Sequence, residues 1–201
     1  MIRSFLRDSA VYGLATILVR ALGILLVPLY TRFLAPADYG SLDILSVAGS
    51  FVGVIVAMEI VQGVARFYPD PEHADERSSI ASTSLWFTVF AYGLFAILAE
   101  VLAPQIATSL LDGPQREPAV RLAVISMALS GIFYVAQSQL RWQLEAKRYA
   151  IAAVVYSLVS ITASVVFVVS GSGLSGIFIG QVVGAAVGLV ASIRLAGPIY
   201  H

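Results

Sequence analysis

Residues 9–40 read SAVYGLATILVRALGILLVPLYTRFLAPADYG. The part from Ser9 to Thr31 is apolar and long enough to cross a bilayer as one helix, which takes about 20 residues at 1.5 Å each. Arg20 stands near its middle. A charge at that depth costs roughly 2.5–3.5 kcal/mol on insertion scales, so the helix is expected to turn that face to a protein interior or a wet cavity. Pro28 removes a backbone donor close to the far end and is a candidate hinge. The stretch therefore predicts the wall of a polar cavity in a membrane transporter.

The rest of the chain has the matching composition. Of its 201 residues 59% are hydrophobic and only 12% charged, and the mean hydropathy is +0.88, outside the range of a soluble domain of this size. There is no Cys, which excludes disulfides, thiolate metal sites and cysteine nucleophiles, and no Asn, which excludes a glycosylation sequon. Lys plus Arg and Asp plus Glu each number 12, a balance that does not point to nucleic acid. The start, MIRSFLRD, has two arginines before an apolar run as a signal peptide would, but that run is too long and holds Arg20, so a retained helix is expected.

Charge-free runs separated by polar connections predict an all-α bundle of six transmembrane helices, over about 9–31, 41–65, 78–103, 120–140, 149–170 and 175–193. The segment Arg66–Ser79, with Pro69 and Pro71, reads as a solvated loop, and Asp112-Gly113-Pro114 as a turn after a short interfacial helix at Ile106–Leu111. No charge occurs from Tyr149 to Ile193, twice the length of one span, and Ser170–Gly176 divides it. Six spans put both termini on one side. With that side cytoplasmic, Arg3, Arg7, Arg66, Arg77, Arg141, Lys147, Arg148 and Arg194 face inward, against Arg32, Arg116 and Arg121 outward, as the positive-inside rule requires.

Several motifs compete for attention. Gly171, Gly173 and Gly176 spell GxGxxG after VVFVV, but no acidic residue follows Glu145, so the dinucleotide reading fails and no cofactor is expected. Gly176, Gly180, Gly184 and Gly188 recur every fourth residue, a stripe for close helix packing within the chain or, alternatively, for a homodimer seam. Ser130, Tyr134, Gln137 and Arg141 share one helical face and suit the lining of a sugar or phosphate site. Alternatively, Ser130 and Gln137 bond neighbouring helices and Arg141 marks the membrane boundary. Arg20 and Glu59 are the candidate ion pair: Glu59 lies about five residues from the second span's centre, some ~8 Å at helical rise. The pair is either static or a phosphate site whose counter-charge exchanges partners, with Gln62 beside it and Arg66 and Arg141 at the inner mouth. Asp43 reads as a boundary acid, and His73 and His201 lack the partners of a catalytic or metal histidine.

Three phrases carry a family resemblance: TRFLAPADYG at Thr31–Gly40, VARFYPD at Val64–Asp70, and QLRWQLEAKRY across Gln139–Tyr149. In this order and spacing the chain resembles the amino-terminal half of an O-antigen-type flippase of the multidrug/oligosaccharidyl-lipid/polysaccharide exporter superfamily. The resemblance implies one six-helix lobe of a two-lobed transporter with a cationic central cavity, in which Arg20 matches a basic cavity position. It implies an undecaprenyl-pyrophosphate-linked oligosaccharide as substrate, alternating access in the bacterial inner membrane, and membrane lipid as surroundings. The second lobe is missing from this sequence, so the expected partner is another six-helix half or a second copy. The competing readings are a small-molecule exporter, a non-transporting membrane scaffold or truncated remnant, and a membrane-embedded transferase. The last is disfavoured because the only dense acidic group, Asp70, Glu72, Asp75 and Glu76, lies in a proline-containing loop.

Overall fold

The computed structural model describes residues 13–57, 60–68, 76–111 and 113–197, apart from 15, 20, 22, 25, 26 and 29. Arg20 and Glu59, the expected intramembrane pair, lie outside the described residues. So do Asp70, Glu72, His73, Asp75 and His201.

The described residues between 13 and 33 are helical and form α1. Pro28 sits within helical surroundings, and the Thr31 hydroxyl donates to its carbonyl at 2.9 Å. The chain turns at Leu34 and Ala35, and α2 runs Pro36–Ala57. The phrase APAD explains why α2 starts there and not near residue 41. Pro36 occupies the first helical position, where its missing N–H costs nothing. Asp38 reaches back so that its Oδ2 accepts the Ala35 N–H at 3.2 Å, half of a capping box. Across the corner, the Tyr39 hydroxyl donates to the Val27 carbonyl. The family-like phrase is thus, locally, a helix-to-helix corner.

Beyond residues 58 and 59, which lie outside the described residues, α3 covers Ile60–Phe67. Helix α4, Arg77–Leu110, has 34 residues, or about 51 Å, well beyond the ~30 Å hydrocarbon core. It continues through Pro104 and takes in residues 106–110 of the separate interfacial helix expected at Ile106–Leu111, with Leu111 as its C-cap. One proline removes only one ladder bond. The burial of Ala103, Ala107 and Leu111 against Ala119, Val120 and Ala123 of the next helix holds the last turns in place.

A 3₁₀ turn, Pro114–Arg116, leads into α5, Glu117–Trp142, and α6 covers Ala146–Phe167. The segment Val168–Ser172 then reverses the chain with Gly171 at φ 93°, a left-handed conformation that glycine adopts at little cost. Helix α7, Gly173–Ala196, returns alongside α6. A Cβ added at Gly180 would run into the backbone of Ser164, one at Gly184 would lie 2.8 Å from the Ser160 Cα, and one at Gly176 2.8 Å from the Val168 nitrogen. The Ser164 hydroxyl donates to the Ile177 carbonyl at 3.0 Å. Three of the four striped glycines therefore let α6 and α7 touch backbone to backbone, while Gly188 faces Phe133 and Tyr156. The run VVFVV is helical, so the GxGxxG match is the tip of a helical hairpin.

Among the described residues four segments are long and apolar enough to cross a membrane: Pro36–Ala57, Arg77–Leu110, Pro114–Trp142 and Ala146–Ala196, the last containing the hairpin. Side-chain contacts fix their register. Arg121 pairs with Glu100, and Tyr92 lies over Gly131, so α4 and α5 are antiparallel. Arg116 pairs with Asp38, and Gly49 faces Met127, so α2 runs parallel to α5. One core cluster gathers Leu34, Leu45, Ala103, Val120 and Phe178 at the end where α2, α5 and α7 begin. A smaller one, Val61, Val64, Tyr68, Ala81, Val135 and Trp142, closes the opposite end. The largest cavity described below lies between them.

Candidate functional site

Helices α2, α3, α4, α5 and α7 enclose a half-open cavity of about 510 Å³. Its α2 wall carries Ser46 and Ser50 with the bare backbone of Gly49 and Gly53, and α3 adds Ile60 and Val61. Tyr92 comes from α4, Ser126, Met127, Ser130, Gly131 and Tyr134 from α5, and Phe178 and Gln181 from α7. On α5 these positions centre on the middle of the charge-free run 122–140. The cavity thus sits at mid-depth, where transporters hold their substrates.

Among the described residues the lining is mostly apolar, with uncharged polar groups set into it. The Ser126 hydroxyl donates to the Ala123 carbonyl at 2.8 Å and approaches the Gln181 Oε1 at 3.2 Å. Ser50 donates to the Ser46 carbonyl at 3.1 Å. Among the described residues no charged side chain lines the cavity. The hydroxyls and one carboxamide among the lining residues match the alternating donors and acceptors of a sugar, and the apolar remainder suits the faces of its ring.

The four polar residues expected on one face of α5 part company with depth. Ser130 and Tyr134 line the cavity. Gln137, further along, is buried and lines a second cavity of about 260 Å³ with Thr16, Val19, Phe133, Tyr149, Ala153, Tyr156 and Ser157. Its Nε2 donates to the Tyr149 carbonyl at 3.4 Å. Phe133 and Tyr156 stack there at 4.6 Å between ring centres. Arg141 is exposed, lies over the Tyr149 ring at 5.8 Å and donates to the Ser138 hydroxyl. The four stay on one helical face, but α2 covers that face at one depth and α6 with α1 at another. Gln62 and Arg66 are both exposed on α3 and neither lines the cavity; Arg66 lies over the ring of Phe67.

Tyr92, Ser46, Ser50, Ser126 and Gln181 were not singled out from the sequence. The available signal was Tyr92, the only tyrosine in the charge-free run from Ser78 to Ala99. A hydroxyl at that depth needs a partner or a cavity.

At the end where α3 meets α5, Gln139 is fully buried and donates through Nε2 to the Tyr68 hydroxyl at 2.7 Å. Arg77 donates from Nε to the Tyr68 carbonyl and lies over its ring. Burial pushes the Tyr68 hydroxyl pKa up, against the opposing pull of Gln139, Gln143 and Arg77, so this phenol stays protonated at physiological pH. At the other end, the Arg121 guanidinium pairs with Glu100 and Glu117, each at 2.8 Å.

With the cavity established, comparison with known proteins adds the family. The model of a family described as polysaccharide biosynthesis protein matches residues 29–197. The chain belongs to that family. No curated protein and no solved structure matches. The matched range begins just before the α1–α2 corner and ends just past α7, so it takes in every helix that lines the cavity.

Proposed function

We propose that this family member is a six-helix lobe of a flippase for undecaprenyl-pyrophosphate-linked oligosaccharide. It carries its substrate from the inner to the outer leaflet of the bacterial cytoplasmic membrane by alternating access, and serves export of lipopolysaccharide-type surface glycans. The hydroxyls and the carboxamide described in the mid-depth cavity carry the reading, because an uncharged glycan must cross that depth in contact with hydrogen-bonding groups. The family's link to polysaccharide biosynthesis supports it. The chain acts as a transporter and not as an enzyme, with both termini cytoplasmic. The half-open side of the cavity is completed by a second six-helix half or a second copy. In this scheme Arg20, Arg66 and Arg141 attend the pyrophosphate, and Glu59 balances the charge.

The test is reconstitution in vesicles carrying undecaprenyl-pyrophosphate-linked oligosaccharide, with the chain alone and with a candidate second half. Sugar that becomes reachable by an external lectin faster than in empty vesicles supports the reading. Rates in both preparations no faster than in empty vesicles overturn it. Normal rates with Arg20→Ala and Arg20→Lys would remove Arg20 from the pathway.

A further inference from the structure

Tyr92 differs from every other group around the main cavity. It is only 3% exposed, yet among the described residues its hydroxyl makes no hydrogen bond, and the Phe95 ring lies edge-on to it at 6.5 Å. Its far ring edge lies directly on the backbone of α5: a Cβ added at Gly131 would collide with the Cζ, Cε1 and Cε2 atoms of Tyr92. The ring is therefore held between Gly131 and Phe95 with its hydroxyl end at the cavity wall. Ser130 and the half-exposed Tyr134 flank Gly131 on the same wall, and Gln181 faces it from α7.

We propose that Tyr92, locked over Gly131, is the residue by which this cavity recognises an uncharged sugar ring, and that the cavity binds the glycan rather than the phosphate of its ligand. The inference rests on the transport reading and deepens it. A buried hydroxyl in a membrane helix normally bonds back to its own backbone or to a neighbour, and a phenol cannot reach its own backbone. A partner comes from the cavity, and the groups described there, the hydroxyls of Ser46, Ser50, Ser126, Ser130 and Tyr134 and the Gln181 carboxamide, pair with the hydroxyls of a sugar. The volume suits this role, lying within the ~300–1,000 Å³ of small-molecule sites. Gly53 keeps the facing wall open, for a Cβ there meets nothing within 4 Å.

The experiment uses the full chain in nanodiscs and two fluorescent probes with the same alkyl tail, one headed by β-glucoside and one by phosphate. Wild-type protein is expected to bind the glucoside, and Tyr92→Phe to bind it about 3–10-fold more weakly, the size of one lost neutral hydrogen bond. Gly53→Leu, which puts bulk into open space without a clash, is expected to abolish glucoside binding while the melting temperature holds. Binding of the alkyl phosphate is expected to be unchanged in both variants. Equal glucoside affinity in wild type and Tyr92→Phe overturns the proposal, as does displacement of the glucoside by alkyl phosphate at comparable concentration. Glucoside binding that depends on Tyr92 without any flipping overturns the transport reading alone. Flipping that persists at full rate in Tyr92→Phe overturns this inference alone.

Discussion

The two ends of the helix bundle hold themselves together by different physics. Where α2 and α5 begin, cations meet carboxylates: Arg116 with Asp38 at 2.7 Å, and Arg121 with both Glu100 and Glu117 at 2.8 Å. Where α5 ends, Arg66, Arg77 and Arg141 lie over the rings of Phe67, Tyr68 and Tyr149 at 5.7, 5.7 and 5.8 Å, and none has a carboxylate partner among the described residues. The chain closes that end through a neutral contact, Gln139 to Tyr68, and through Trp142, whose ring lies 5.9 Å from that of Tyr68. Charge at the first end is spent within the protein. At the second, the ion pair described is the longer and more exposed Arg148–Glu145, at 3.7 Å.

The largest effect is expected from removing that asymmetry. Replacing Arg66, Arg77, Arg141, Lys147 and Arg148 by Gln leaves three cations on the side that the sequence pattern assigns to the cytoplasm, Arg3, Arg7 and Arg194, equal to the three it assigns to the other, Arg32, Arg116 and Arg121. A reporter fused to the carboxy terminus should then change from one orientation to a mixture of both; a retained single orientation would mean that these side chains do not set topology.

Next in size is Arg116→Ala. It strands a carboxylate that also caps α2, in a pair whose side chains are 15% and 25% exposed, and should cost about 2 kcal/mol after allowance for that exposure. Thermal melting in detergent should show the loss, and it should shrink as salt rises. Tyr68→Phe should cost about 1 kcal/mol by leaving the Gln139 carboxamide without its partner, whose Oε1 already has none. Because no charge is involved, this second loss should be the same at low and high salt. If salt affects the two variants alike, the proposed contrast between the ends is wrong. The smallest effect belongs to Arg121→Lys, since the guanidinium is 44% exposed and one ammonium can still serve either carboxylate. Its melting curve should overlay that of the wild type.

How far the sequence could be read follows from the range of each interaction. Helix existence rests on apolar runs about 20 residues long, a local property, and those runs mark α2, α4, α5 and the α6–α7 hairpin without ambiguity. Helix ends rest on single residues. Asp38 capping through Ala35 was legible in APAD only once its register was known, and Pro104 stays helical because Ala103, Ala107 and Leu111 have somewhere to pack. The glycine stripe on α7 was legible as a smooth face, but only the structure pairs it with Ser160 and Ser164. Spacing grouped Ser130 and Tyr134 with Gln137 and Arg141, since a helical wheel records angle and ignores which neighbour covers each depth.

The sequence by itself determined the medium and the raw elements: a chain this apolar must satisfy its backbone in helices inside a bilayer, and its arginines must gather toward one end. Only the tertiary structure decided which polar groups share a cavity. Tyr92 reads as one more aromatic in an apolar run until α5 presents Gly131 beneath it, 39 positions away. The absence of one side chain on a neighbouring helix is what turns a buried phenol toward open space, and a contact so distant in sequence leaves no local pattern to read.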